Sequence, residues 1–427
     1  MDEIKILMVI PYLPNEKNVA TIFAKNILHS IEKKIKTKLI WILQTPSQNF
    51  ENIFPNVEIK PIQNFSDACD IMDKEKPDVV ITESSFSLSS YPFILAAKTK
   101  KIPIVSYYHY GHDFNITSFD SFNSGFLSKL KRFFSKSKDD CGYNPFSRGV
   151  FYLYKYFFYL KTLKSSSVGF SNFFSDVVES LWMNSFGTID KKFDVRLITD
   201  KICLPNDNWI EHLEKFGIPK TTLVVTGSPI FDNYNFSKIK PQNFKQKNTI
   251  KILLVTASHV SHGFVSEKEY YENLFKIIFE IQKNPNFSLD IKIHPTSENI
   301  QSYSKILKEF NSSIQIFQQE NLSDVLNTYD VAISFGIWTG AHLDILVSGT
   351  PLIMMTVFDN PEEIAVLKYN CAYRCDFVSD LEKIINNLSV NPIPINNIRS
   401  FLHLVSNPFD GKASERFAEI IISTIKN

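Results

Sequence analysis

Apolar residues in this chain come in two alternating textures. Short unbroken apolar runs suit strands buried on both faces; between them lie stretches whose apolar positions recur every three or four residues, as on one face of a helix. In the first half the runs Ile4–Ile10, Lys38–Leu43, Asp78–Thr82 and Ile102–Tyr107 predict strands. Val19–Lys34, Ser66–Lys74 and Leu88–Thr99 predict the helices between them. Pro77 and Pro103 stand at the starts of two runs, where a missing N–H is tolerated. The connections have the length of helical crossovers, so the sheet is expected to be parallel and doubly wound.

The alternation breaks over 117–167, a basic and aromatic insertion. It resumes with strands at Val168–Ser171, Val195–Ile202 and Leu223–Thr226 and a helix at Asn172–Trp182. A polar, lysine-rich stretch with one proline, 236–248, reads as a linker. A second alternating series follows. Strands are expected at Ile250–Thr256, Leu289–Ile293, Ile314–Phe317, Val331–Ser334 and Leu352–Thr356. Helices are expected at Glu267–Gln282, Ile300–Phe310, Leu322–Thr328, Gly340–Val347, Pro361–Lys368 and Ser379–Leu388, and an amphipathic helix at Gly411–Ile425. The pattern therefore predicts an α/β chain with two doubly wound, Rossmann-like domains and a cleft between them. These are a first domain over 1–235, the linker, a second domain over 249–410 and a terminal helical segment over 411–427. In such sheets ligands bind beyond the carboxyl ends of the strands.

Composition narrows the classes. The chain has 427 residues, 44% hydrophobic and 21% charged, which suits globular domains and excludes disordered, collagen-like and coiled-coil chains. The net charge of +1 leaves no global field for nucleic acid. Five scattered cysteines form no ligand array and point to reduced thiols in the cytoplasm. The first strand follows Asp2 and Glu3 directly, unlike a signal peptide, and no uncharged apolar stretch reaches the length of a membrane span. There are only 13 glycines, so each marks a special backbone position.

Four segments carry candidate chemistry, all at expected carboxyl edges. After Val331–Ser334 the chain reads Phe335-Gly336-Ile337-Trp338-Thr339-Gly340, two of its glycines falling in one turn. A helix starting near Thr339 would aim its free N–H groups at a phosphate, with Ser334, Gly336 and Gly340 around it. Asp344, one turn on, is placed to accept hydrogen bonds from ribose hydroxyls; a plain N-cap followed by a surface acid is the competing reading. Lys292 and His294 end another strand before Pro295, placed to neutralise and donate to a phosphate. Ser258 and His259 lie in a hydroxyl- and histidine-rich loop suited to phosphate or sugar. In the first domain His109, His112 and Asp113 follow Ile102–Tyr107, and Glu83 ends the neighbouring strand. His109, Asp113 and Glu83 are candidate general bases for an acceptor hydroxyl, and spacing does not choose among His109, His112, Asp113 and Glu83. No G-x-S-x-G elbow, P-loop or G-x-G-x-x-G is present, which argues against hydrolase, kinase and ordinary dehydrogenase chemistry.

Taken together, four segments resemble the GT-B glycosyltransferase superfamily and its relatives, the UDP-N-acetylglucosamine 2-epimerases. Val225-Thr226-Gly227-Ser228-Pro229-Ile230-Phe231-Asp232 is similar to their crossover between domains. Lys292-Ile293-His294-Pro295 resembles the K-x-H-P element of bacterial capsule, sialyl- and glycerophosphotransferases. Ser334 to Pro351 resembles their nucleotide-binding strand, loop and helix. Asn407-Pro408-Phe409-Asp410-Gly411-Lys412-Ala413-Ser414-Glu415-Arg416 resembles the segment that leads into the final helix. Pro11-Tyr12-Leu13-Pro14-Asn15-Glu16 and Glu83-Ser84-Ser85 replace the G-T-R-P-E and G-D elements of the epimerases, which favours the transferases. The ribose acid is Asp344 where the transferases usually have Glu.

The resemblance implies a metal-independent enzyme moving a sugar from a nucleotide sugar to a surface glycan or lipid-linked acceptor, with no cofactor. It also implies a final helix that packs back toward the first domain. An epimerase-like or glycerophosphotransferase-like reaction and a catalytically inactive binding subunit are the alternatives. The expected partners are a UDP-, CMP- or GDP-linked sugar and the acceptor, without nucleic acid. The insertion, with Lys129, Lys131, Arg132, Lys136 and Lys138 before the aromatic run Arg148–Lys164, has two readings. It is either an in-plane helix on the anionic inner face of the cell membrane or a helix packed on the first domain.

Overall fold

The computed structural model describes residues 3–10, 19–44, 56–83, 90–108, 148–166, 198–215, 217–234, 236–242, 244–245, 247–257, 259–260, 265–295, 298–310, 314–335, 340–356 and 364–426. They form two compact units. Unit 1 comprises Met1–Asn233 with His403–Asn427, and unit 2 is Tyr234–Leu402.

Unit 1 is built on seven parallel strands: β1 (Ile4–Ile10), β2 (Thr37–Leu43), β3 (Val57–Pro61), β4 (Val79–Glu83), β5 (Ile104–Tyr107), β6 (Lys201–Leu204) and β7 (Leu223–Val225). Their order is β3-β2-β1-β4-β5-β6-β7, so the direction of winding reverses between β1 and β4. The helices are α1 (Val19–Glu32), α2 (Ala68–Glu75), α3 (Tyr91–Thr99), α4 (Arg148–Ser165) and α5 (Asn208–Lys215). The central strands are buried on both faces, which is why they read as apolar runs. The expected elements at Val168–Ser171 and Asn172–Trp182 lie outside the described residues. β3 and α5 were not expected, and β6 begins later than the expected strand at Val195–Ile202.

Helix α4, from the insertion, packs on unit 1. Phe158 lies 5.9 Å from Phe93 and Tyr159 lies 6.2 Å from Tyr91, ring centre to ring centre. Thr162 Oγ1 accepts from Ala68 N at 3.1 Å, and Ser165 donates to Asp67 Oδ2 at 2.6 Å. The far side exposes Leu153 and Phe157, at 49% and 58%, with Lys161 and Lys164 further along the same face. Among the described residues no helix is long and apolar enough to cross a membrane.

Unit 2 has six parallel strands: β8 (Ile250–Val255), β9 (Phe287–Lys292), β10 (Ile316–Phe317), β11 (Val331–Phe335), β12 (Leu352–Met355) and β13 (Tyr373–Cys375). Their order is β10-β9-β8-β11-β12-β13, and the winding reverses between β8 and β11. Helices α6 (Glu267–Gln282), α7 (Ile300–Leu307), α8 (Leu322–Leu326), α9 (Gly340–Ser348), α10 (Ala365–Lys368) and α11 (Leu381–Asn387) accompany them. α12 (Ile395–Val405) was not expected, nor was β13. Residues read as a linker are tied to this unit. Lys240 N donates to Val347 O at 3.1 Å, and Gln242 Oε1 accepts from Tyr373 Oη at 3.0 Å.

The last helix, α13 (Ala413–Lys426), returns to unit 1 and packs on α1. Phe417 meets Phe23 edge-on at 5.4 Å, and Phe23 stacks on Tyr107 at 3.8 Å. Two motifs far apart in sequence form a clasp at its start. Asp232 accepts from the N–H groups of Ala413 and Ser414, both at 2.8 Å. Arg416 donates to Thr226 O at 2.7 Å and makes a two-pronged pair with Asp410 at 2.9 and 2.8 Å. Ser406 Oγ accepts from Ser228 N at 2.9 Å. Gly227, at φ +79°, lies so close that a Cβ would stand 2.9 Å from Pro408 O.

Candidate functional site

The reversal of winding in unit 2 places the ends of β8 and β11 side by side, with β9 beyond β8. Thr256 and His259 follow β8, Lys292 and His294 close and follow β9, and Ser334 lies in β11 just before α9. These residues therefore lie at the carboxyl ends of their strands, on one edge of the sheet, with Pro295 directly after His294.

Helix α9 begins at Gly340, which is exposed, and a Cβ there would meet nothing within 4 Å. Its first N–H groups have no intrahelical acceptors, the usual feature of an anion site. Asp344, half-buried in α9, takes a hydrogen bond on Oδ1 from Tyr234 Oη at 2.5 Å. No described residue donates to its Oδ2. Burial pushes the Asp344 carboxyl above its usual range, while the Tyr234 hydrogen bond and the charge of Lys292 pull it down. Burial and the adjacent carboxylate raise Tyr234, which keeps its proton.

Lys292 is 6% exposed, and its ammonium donates to Ile293 O at 3.0 Å and Gln318 O at 2.9 Å. It ties β9 to the segment after β10 and acts on Asp344 through its field. Ser334 is likewise bonded inside the unit: its hydroxyl lies 3.0 Å from His342 Nε2, both side chains buried.

Glu298 joins the two loops. Its Oε2 accepts from Thr256 Oγ1 at 2.5 Å and from His294 N at 2.6 Å. Its Oε1 accepts from Tyr270 Oη of α6 at 2.9 Å and from Tyr303 Oη of α7. The two phenols lie 2.9 Å apart. Burial raises the Glu298 carboxyl, and the four hydrogen bonds act against that rise. His259 is buried, with its ring stacked on Tyr270 and Nδ1 3.2 Å from Ala257 O.

The structure thus brings His259 and His294 to the two sides of one buried cluster, and Lys292 within electrostatic reach of Asp344. Gly340 opens α9, and Glu83 stands half-buried at the carboxyl end of β4 in unit 1. His109, Asp113, Ser258, Gly336 and Thr339 lie outside the described residues. Sequence reasoning missed Glu298, Tyr270, Tyr303, Tyr234 and His342. The signal for the first was Glu298 four residues beyond His294. The tyrosines resembled ordinary core positions, although a buried phenol calls for a hydrogen-bond partner.

No protein-family model matches the sequence, and no curated protein matches it. Solved structures match along the whole chain. A structure of S. aureus MnaA with UDP is 15% identical, with a TM-score of 0.51 over 99% of this chain and 98% of that one. The glycotransferase of kitacinnamycin is 12% identical, with a TM-score of 0.54 over all of both chains. A UDP-GlcNAc 2-epimerase from Methanocaldococcus jannaschii is 15% identical, with a TM-score of 0.50 over 99% of this chain and all of that one. At these identities the likeness is one of fold.

Proposed function

We propose that this chain, whose fold is GT-B, is a glycosyltransferase that takes a nucleotide sugar in unit 2. The observation that carries the reading is Asp344. It is a half-buried carboxylate at the winding reversal, four residues into α9, with one oxygen held by Tyr234 and the other without a donor among the described residues. A ribose hydroxyl would supply that donor. The diphosphate would then lie at the first turn of α9, beside Gly340 and within reach of His294. Ser258, Gly336 and Thr339 would complete this cradle. Backbone N–H groups and His294 would stabilise the charge that develops on the leaving nucleotide, by electrostatics and without a metal. The candidates for taking the proton of the acceptor hydroxyl are Glu83, which ends β4, and His109, His112 and Asp113, which follow β5 in the sequence. The neighbours' names, MnaA with UDP among them, support a nucleotide-sugar ligand.

A thermal-shift screen of the full chain with UDP, CMP, CDP and GDP, with and without EDTA, tests the reading. A ligand at 100 times its Kd stabilises by about 2.7 kcal/mol, a rise of a few degrees for a chain of this size. We expect one nucleotide to give that rise, EDTA to leave it unchanged, and Asp344→Asn to reduce it. Nucleotide release from the matching nucleotide sugar that requires an acceptor completes the assignment. Release of free sugar, or isomerisation without acceptor, would instead make the chain a hydrolase or epimerase.

A further inference from the structure

Glu298 sits among donors from four elements, with no cation within hydrogen-bond distance among the described residues. Facing it are Tyr270 and Tyr271 of α6, Tyr303 of α7, Thr256 after β8 and the His294 N–H after β9, with His259 stacked on Tyr270. The nearest lysine in sequence, Lys292, gives its ammonium to Ile293 O and Gln318 O instead.

The hydrogen-bond geometry counts protons. Glu298 Oε1 and the phenols of Tyr270 and Tyr303 make a closed triangle of three contacts. With the carboxylate ionised, two phenolic protons serve three contacts. With a proton on Oε1 instead, one of the two phenols accepts from Oε1 rather than donating to it, and each oxygen donates once and accepts once round the ring. Oε2 is then a carbonyl oxygen, and its two lone pairs match its two donors, Thr256 Oγ1 and His294 N–H.

We propose that Glu298 is a neutral carboxylic acid and a positioning residue. It fastens the ends of β8 and β9 through Oε2 and so holds His294 at the phosphate position without putting a negative charge beside the nucleotide. This rests on the nucleotide-sugar reading above. Burial acts in the same sense, raising the carboxyl and favouring the protonated form.

The sign of the pH dependence follows. A carboxyl raised in the folded state contributes stability that is lost as pH rises through its folded pKa. The same ionisation adds a charge that repels the ligand's phosphates. Glu298→Gln keeps the carbonyl oxygen for Thr256 and His294 and cannot ionise, whereas Glu298→Ala removes the clamp.

The test is calorimetry of UDP, CMP, CDP and GDP binding to the full chain at pH 5 to 9, for wild type and both variants, with thermal melts alongside. Glu298→Ala should lose at least tenfold in affinity for whichever nucleotide binds, and Glu298→Gln should stay within about threefold of wild type at pH 5. The ratio of wild-type to Glu298→Gln affinity should then fall at least threefold as pH rises, since histidine and phosphate titrations are common to both and cancel. Infrared difference spectra between the two should show a protonated-carboxyl carbonyl band in wild type at pH 5 that vanishes at high pH. If Glu298→Gln does not fold, Tyr303→Phe serves instead. It removes one donor to Oε1 and should move the midpoint of the infrared band upward. A ratio independent of pH, or no such band, overturns the neutral clamp while leaving the nucleotide reading standing. Absence of binding by every nucleotide overturns both.

Discussion

A methyl group at Gly349 would stand 2.8 Å from the carbonyl oxygen of Pro241 and 2.9 Å from that of Lys240, in a backbone conformation of φ +79°. Gly349 follows the last residue of α9 and lets the segment from Lys240 pass over the helix end. Gly349→Ala should therefore cost about 1–3 kcal/mol in urea unfolding, from strain and displaced backbone together. Gly349 lies within the Ser334 to Pro351 segment that stood out in sequence; Lys292, His294 and Ser334 stood out as polar residues ending apolar strands, and Asp344 as an acid one turn into the following helix. Their partners were not visible. That Lys292 spends its ammonium on two carbonyls, or that Ser334 meets His342, depends on loops and helices whose spacing the residues themselves do not encode.

At the scale of elements, legibility followed burial. Central strands such as β1, β4, β8 and β11 are mostly apolar and largely buried, and they were read from sequence within a residue or two. The edge strand β3 reads Val57-Glu58-Ile59-Lys60-Pro61, with Glu58 and Lys60 in surface ion pairs, and β13 has three residues, so neither has an apolar run to see. Helix α13 shows how a distant residue decides an element. Its N-cap function comes from Asp232, 181 residues earlier, which accepts two of the N–H groups that α13 leaves unsatisfied. Asp232→Ala should cost about 1–2 kcal/mol in chemical denaturation, the upper part of the range for lost caps. Asp232→Asn, which keeps one acceptor oxygen, should lose less.

For the molecule as a whole, alternation alone predicted two parallel doubly wound sheets, and both are present with the winding order of nucleotide-binding folds. The insertion shows where alternation stops informing. Packing assigns one face of α4 to the core, through Phe158, Tyr159 and Leu163, and leaves Leu153, Phe157, Lys161 and Lys164 outward. The packed reading holds for the inward face, and the outward face is where the membrane reading would have to apply. Phe158→Ser should destabilise unit 1 by about 3–5 kcal/mol. Phe157→Ser should leave the melting temperature within a degree or two. If the outward face meets anionic lipid, at about 1 kcal/mol for each basic residue, changing Lys129, Lys131, Arg132, Lys155, Lys161 and Lys164 to Gln should abolish sedimentation with anionic vesicles at low salt. A wild type that does not sediment limits α4 to scaffolding. The return of α13 to α1 has a consequence for biosynthesis. Unit 2 is one uninterrupted stretch, Tyr234–Leu402, whereas unit 1 is closed by residues from both ends of the sequence. On the ribosome, unit 2 has all its residues before unit 1 does, although unit 1 begins to be made first. Until Phe417 emerges to cover Phe23 of α1 and Tyr107 of β5, the nascent first unit leaves that aromatic pair without its third ring.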